Sequence, residues 1–405
     1  MKVKEYKYAL SVTSQFYFCG IPFRLDIKPK CELDCLYCFA MARGGRRTEN
    51  AQLLNVRSLV KLFEKAFQND ESKNINTSFL KNRIPLHLGG VSDPLSDATS
   101  IETSLEVLHV LSRYQYPVVF STKLPNVLVR DDFLKALEKI KDYLIIQVSF
   151  TGCDYRIYEK IEPNIPSYKS RLNSVGFLIN EGYTVFIRLQ PILPNYTDFV
   201  VGEILPTIGE LRVKHISMEF LKLPVEKSSS AFSYFLHATG FDYYEHYKKR
   251  GAILVGREWI LPNRYKWDLL QPLIWEAHRW NISVGCAEYG LYHFSDSNCC
   301  CGLDLVPTFS SWFKTNFSYV IKNCRTLNQI TFDYIESSLI PEGNVDIILN
   351  SNCRNKSCKN LRDYLRIKWN SPGTVNAPDS YLGVVCTYER DSMCNYIYVF
   401  SDQRG

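Results

Sequence analysis

Residues 30–39 read Lys30-Cys31-Glu32-Leu33-Asp34-Cys35-Leu36-Tyr37-Cys38-Phe39. Three thiols fall within eight residues, in the spacing C-x3-C-x2-C. A [4Fe–4S] cube takes four ligands, ordinarily all thiolates, so a compact loop that presents three leaves one iron open to a substrate or cofactor. Structural zinc takes C-x2-C knuckles in pairs instead, and Cys35–Cys38 has no equally clean partner nearby in the sequence. The spacing points to an iron–sulfur cluster with one iron held open.

Outward from this loop, apolar runs alternate with amphipathic ones. The alternation predicts strands over Arg24–Lys28, Ile84–Leu88, Pro117–Ser121, Leu144–Ser149, Thr184–Leu189 and His215–Phe220. Between them, Val56, Leu59, Val60, Phe63 and Phe67 recur at the helical period, as do Ile101, Leu105, Leu108 and Leu111. Phe133, Leu137 and Ile140 mark a third helix behind Asp131-Asp132, carboxylates that favour a helix start. Leu172, Val175 and Ile179 mark a fourth, which ends at Gly182. Strand–helix alternation implies a parallel sheet. Six units make the fold class α/β, a partial (β/α)6 TIM barrel, in which chemistry sits at the C-terminal ends of the strands. The cysteine loop follows the first predicted strand and so lies at that mouth.

Polar residues punctuate the same strand ends. The second ends Leu88-Gly89-Gly90-Val91-Ser92-Asp93-Pro94, where two glycines let a ligand approach the backbone closely. The third ends Ser121-Thr122-Lys123, the fourth carries Ser149, the fifth Arg188 and Gln190, and the sixth Glu219.

Taken in order, these segments resemble the spore photoproduct lyase-like branch of the radical S-adenosylmethionine (SAM) superfamily. The matching stretches are the cysteine loop with its aromatic Tyr37, Val91-Ser-Asp-Pro94 with Glu102, and Ser121-Thr-Lys123 with Val129-Arg-Asp131. They continue through Val148-Ser149, Ile161-Glu-Pro163 with Arg171-Leu172, and Arg188-Leu-Gln-Pro-Ile-Leu-Pro194, about 170 residues in all. The resemblance implies a [4Fe–4S] cluster on Cys31, Cys35 and Cys38, with SAM as cofactor. Tyr37 would contact this cofactor, Gly89, Gly90, Ser92 and Asp93 would hold its methionine amino group, Ser149 its ribose, and Arg188, beside Gln190, its carboxylate. A reductant such as flavodoxin or ferredoxin would supply the electron. The true lyase keeps a hydrogen-donor cysteine just before its Ser-Asp pair, where this chain has Gly90-Val91. The nearest substitute is Cys153, in Thr151-Gly-Cys-Asp154, so repair of spore photoproduct itself is not expected.

Nine of the fourteen cysteines lie from Cys286 onward, in a stretch rich in Asn and Ser with weak periodicity. We read residues 1–225 as the barrel core, 226–285 as a helical extension, and 286–405 as an irregular, cysteine-rich, metal-binding C-terminal domain. Cys286 with Cys299, Cys300 and Cys301 forms the candidate second site, for another [4Fe–4S] cluster or a structural zinc. Neither the usual auxiliary-cluster spacing nor paired zinc knuckles is present.

Composition constrains the rest. At 405 residues, 46% hydrophobic and 22% charged, the chain is ordinary globular protein of two or three domains. The Met1-Lys-Val-Lys-Glu-Tyr-Lys-Tyr8 start lacks an apolar core and no run suits a bilayer, so a cytoplasmic protein without membrane contact is expected. A charge of +6 suits an anionic substrate without the strong basicity of a dedicated nucleic-acid binder. The leading expectation is an enzyme that cleaves SAM reductively and abstracts hydrogen from a nucleobase or nucleotide-type substrate. That expectation also rests on Arg43-Gly-Gly-Arg46-Arg47 and on the aromatics Trp259, Tyr265, Trp267, Tyr289 and Tyr292. The alternatives are a peptide- or protein-modifying radical enzyme with an auxiliary cluster, and a non-catalytic metal-binding interaction protein.

Overall fold

Short apolar strands and amphipathic helices alternate through the barrel-like region of the computed structural model. The structure describes residues 4–13, 19–38, 52–68, 74–225, 230–288, 290–309, 317, 321, 324, 327–338, 358–374, 377–380 and 383–401. Arg43–Arg47, Tyr289 and Cys353 lie outside the described residues.

Eight strands, β1 (Leu10–Val12), β2 (Phe23–Leu25), β3 (Leu86–Leu88), β4 (Val118–Thr122), β5 (Leu144–Gly152), β6 (Val185–Ile192), β7 (His215–Phe220) and β8 (Ser283–Cys286), form one sheet. Within this sheet the strands lie in chain order, from β8 to β1, while the short strands Gln52–Leu53, Leu223–Pro224, Ile253–Val255 and Glu258–Ile260 pair in smaller sheets. β1 and β2 form an antiparallel pair, while β4, β5, β6 and β7 pair in parallel. Between β2 and β7 every connection carries helix, including Val56–Phe67, Ala98–Arg113, Asp131–Glu138, Tyr168–Asn180 and Leu205–Glu210. This is the α/β, partial (β/α)6 barrel pattern: parallel strands buried on both faces read as continuous apolar runs, and all five residues of β4 are buried.

Three strand ends differ from the periodicity. β2 stops at Leu25 rather than running to Lys28; the Asp26 N–H still donates to the Ala9 carbonyl at 2.8 Å, while its carboxylate accepts the Val91 N–H at 2.7 Å. β5 and β6 run beyond Ser149 and Leu189, and their register shifts between Phe150 and Gly152 and between Leu189 and Ile192. Such irregularities re-aim side chains at the rim of a barrel.

The chain forms two compact units. One comprises residues 1–9, 26–56 and 88–284, and contains β4 to β7 with their helices. The other comprises residues 10–25, 57–87 and 285–405. In its first half Phe23 and Phe79 meet edge to face at 5.5 Å. In its second half Trp369, fully buried on the Leu361–Trp369 helix, meets Phe317, Phe332 and Tyr398, and its indole N–H donates to the Tyr396 carbonyl at 2.6 Å. A core of a few large rings leaves little helical periodicity to read in the sequence.

The helix Ala98–Arg113 begins where Asp97 accepts the Ser100 N–H at 3.0 Å, and the same carboxylate holds Lys28 at 2.7 Å. Asp97→Ala is expected to cost about 1 kcal/mol, typical of a lost N-cap, while Asp97→Asn retains most of the stability. Urea denaturation of the two variants beside the parent checks this.

Candidate functional site

The segment from Asp26 to Cys38 is stitched to the end of β3. Asp26 is buried and receives the N–H groups of Val91 and Ser92, at 2.7 and 3.4 Å. The Ser92 hydroxyl donates back to the Lys28 carbonyl. Gly89 takes φ +91°, and a Cβ there would fall 2.4 Å from the Ser121 carbonyl oxygen, so β3 and β4 approach this closely only with glycine between them.

Asp93 brackets the same two strand ends. Its buried carboxylate accepts the Thr122 hydroxyl at 3.0 and 3.1 Å, the Lys123 N–H at 2.6 Å and the Leu95 N–H at 3.0 Å. Burial pushes this carboxyl up despite those donors. Ser92 and Asp93, expected to receive a ligand's amino group, are therefore engaged in holding the loop and the β4 end. Gly90 remains half-exposed beside them.

Cys31, Cys35 and Cys38 lie on this loop, and the Cys38 N–H donates to the Cys35 carbonyl at 3.1 Å. Burial pushes the Cys31 thiol up to about 12, with Asp93 adding to the effect and the N–H groups of Leu33 and Asp93 opposing it. Cys35 is also raised, by burial first, while Lys123 opposes. The charges of Cys31 and Cys38 both reach Cys35. Among the described residues no three ligating side chains stand at the ligand positions of one metal ion. A cube differs in holding each thiolate on a separate iron, and three neighbouring thiols on one loop are the donor set it takes. The residues therefore fit a [4Fe–4S] cluster, whose binding displaces the thiol protons.

Beside Cys35 lies a buried charge network that engages the hydroxyl of Tyr37, expected to contact the cofactor, together with Glu162 and Arg171, to which the sequence pattern assigns no role. Glu162 and Arg171 are almost wholly buried. Lys123 Nζ donates to Glu162 Oε1 at 2.6 Å and to the Tyr37 hydroxyl at 2.8 Å. The Tyr37 and Thr151 hydroxyls, 2.6 Å apart, both donate to the same carboxylate. Arg171 Nη1 stands 3.5 Å from Glu162 Oε2, and its other contacts are the Tyr158 hydroxyl, the Ser149 carbonyl and the face of Phe150. Burial alone would raise the Glu162 carboxyl, but Lys123 and Arg171 outweigh it and hold it below the usual carboxylate range. The available signal was their place in the matching stretches Ile161-Glu-Pro163 and Arg171-Leu172, since their sequence neighbours are themselves largely polar.

Across β5, β6 and β7, Ser149, Arg188 and Ser217 are register partners. Arg188 Nε donates to Gln190 Oε1 at 2.6 Å, and Gln190 Nε2 donates to Ser217 Oγ at 2.9 Å. Arg188 and Gln190 thus form one chained polar row. Cys153, just past β5, is fully buried; burial raises its thiol, and its charge reaches Tyr168, Tyr196 and Tyr243. Glu219 pairs with Lys222. In the second unit Cys286 is buried and its N–H donates to the Ser295 hydroxyl at 2.9 Å.

No protein-family model matches the chain, and no curated protein matches it in sequence. The chain is similar to solved structures of a single-residue variant of spore photoproduct lyase, with TM-score 0.48 and 13% identity over 64% of this chain and 74% of that one. A variant of the same lyase with bound AdoMet and dinucleoside spore photoproduct gives 0.47 and 14%, over 67% and 77%. Streptococcus suis SuiB bound to S-adenosylmethionine gives 0.35 and 14%, over 50% and 42%. Among the described residues no helix is long and apolar enough to cross a membrane.

Replacing Glu162 by Gln leaves two buried cations without their anion, which is expected to cost about 3–5 kcal/mol. Because the native carboxyl is held low, its contribution is present above the ordinary range near about 4.3 and is lost as pH falls through the native value. Urea denaturation from pH 7 to pH 3 should show an acid-dependent loss in the parent that is reduced in Glu162→Gln. A second change, Lys123→Met, should recover part of the deficit.

Proposed function

We propose that this chain is a radical SAM enzyme acting on a nucleobase or nucleotide-type substrate. The observation that most supports it is the three-thiol loop, fastened to the glycine-rich end of β3 and set beside Lys123. When bound, a [4Fe–4S] cluster on Cys31, Cys35 and Cys38 supplies the electron that cleaves SAM to a hydrogen-abstracting 5′-deoxyadenosyl radical. Everything else falls to the side chains around the loop.

The Gly89-Gly90 backbone offers carbonyls to an ammonium group without side-chain obstruction. Ser149 offers a hydroxyl to ribose, and Arg188 a planar fork to a carboxylate. Gln190 fixes that fork by accepting from Arg188 Nε. Lys123, with Glu162 behind it, places an ammonium near Cys35, where thiolate ligands concentrate negative charge. Burial keeps Cys153 as the thiol, the form that returns a hydrogen atom to a substrate radical. A flavodoxin- or ferredoxin-type reductant is the electron source in this reading. The mild positive charge and the aromatic extension holding Trp259, Tyr265 and Trp267 support an anionic, stackable substrate.

The test is anaerobic, dithionite-driven formation of 5′-deoxyadenosine from SAM, followed by mass spectrometry. The parent should form it, and Cys35→Ala should fall to the reagent blank. Nucleosides or oligonucleotides at low salt should raise the parent rate. Equal rates for parent and Cys35→Ala would sink the radical reading; a parent rate indifferent to every nucleotide probe would sink the substrate class alone.

A further inference from the structure

A second thiol set lies in the second unit. The run Cys299-Cys300-Cys301-Gly302 closes a tight turn in which the Gly302 N–H donates to the Cys299 carbonyl at 3.1 Å. Gly302 takes φ +66°, where a side chain would be strained. The turn aims the main-chain N–H groups of Cys301 and Leu303 at the Cys299 sulfur. Burial outweighs these donors and, with the charges of Cys300 and Asp304 adding to it, pushes the Cys299 thiol up, so metal binding there must displace a proton.

Two further observations bring more sulfur to the turn. The Cys300 and Cys301 sulfurs stand 3.9 Å apart, and two thiolates each about 2.3 Å from a tetrahedral zinc are separated by about 3.8 Å. Cys19 arrives from the distant N-terminal segment. A Cβ on Gly20 would lie 2.4 Å from the Cys299 Cβ and 2.8 Å from its sulfur, so only glycine lets that backbone lie against the turn. The charge of Cys19 reaches Cys301. The turn is fastened around this set: a Cβ on Gly285 would fall 2.0 Å from the Cys300 carbonyl oxygen, the Ser297 hydroxyl donates to the Cys299 carbonyl, and Asp304 accepts both the Asn298 main-chain N–H and its side-chain amide, at 2.9 and 3.0 Å.

We propose that Cys19, Cys299, Cys300 and Cys301 form a four-thiolate site for a thiophilic metal centre, zinc or an iron–sulfur cluster, sharing no ligand with the Cys31–Cys38 loop. Among the described residues no group of three or more His, Cys, Asp or Glu side chains is placed to hold a metal ion as it stands, so the site requires side-chain movement on binding. Binding draws Cys19 and Cys299 onto the Cys300–Cys301 pair, and each thiol releases its proton. The site replaces Cys286 of the sequence-derived set with Cys19.

The experiment uses the full chain carrying Cys31→Ala, Cys35→Ala and Cys38→Ala, so that the first loop contributes no metal. After anaerobic purification, zinc, iron and acid-labile sulfide are measured per chain, with and without reconstitution by zinc alone or by iron and sulfide. About one zinc, or about four irons with four sulfides, is expected; which arm fills identifies the metal. Adding Cys19→Ser should lower that content by half or more, while Cys394→Ser, at an exposed thiol of the C-terminal hairpin, should not. The unsubstituted chain gives an independent readout: Cys19 should resist iodoacetamide when metal-loaded and alkylate after chelation. No stoichiometric metal in the triple variant, unchanged content in Cys19→Ser, or equal alkylation in both states overturns the proposal. None of these readouts depends on SAM cleavage.

Discussion

A buried carboxylate with two cations upon it is the constraint on which the cysteine loop depends. Glu162 lies out of water, and an ionised carboxylate there is tolerable only because Lys123 and Arg171 flank it and Tyr37 and Thr151 donate to it. The five groups come from the loop, the ends of β4 and β5, and two positions between β5 and β6. Satisfying one charge therefore fixes the relative placement of four chain segments. Tyr37, between Cys35 and Cys38, ties the thiols to that arrangement.

The network also gives the site its electrostatic sign. One anion against two cations leaves a net positive charge beside Cys35, in a place where water screens poorly. Thiolates are stabilised by such a neighbour, yet the thiols on their own are disfavoured as anions by burial. Burial thus outweighs Lys123 at Cys35, and Cys31 and Cys35 are both held up as thiols.

Much of this arrangement is legible from residue order. The strands β3 to β7 announce themselves as apolar runs, and β7 occupies His215–Phe220 as the periodicity predicts. The cysteine spacing, coming directly after an apolar run, is enough to put the loop at a strand end. Asp93 is less legible, because a Ser-Asp pair after two glycines looks the same whether it awaits a ligand or brackets two strand ends. Glu162 and Arg171 look like ordinary charges, since their burial depends on partners brought in from other elements: Lys123 and Tyr37 for Glu162, and Tyr158 and the Ser149 carbonyl for Arg171. Cys19 is harder still: its relation to Cys299 is a matter of backbone approach across Gly20, which no spacing rule encodes.

Because the sheet is wound so that each strand joins the one made just before it, the site is completed in the order of synthesis. The cysteine loop emerges early, but Lys123, Thr151, Glu162 and Arg171 follow more than eighty residues later. Until they arrive, the thiols stand on an unsupported segment, open to oxidation or to adventitious metal. A fragment ending before β5 would therefore hold the three thiols without the groups that arrange them.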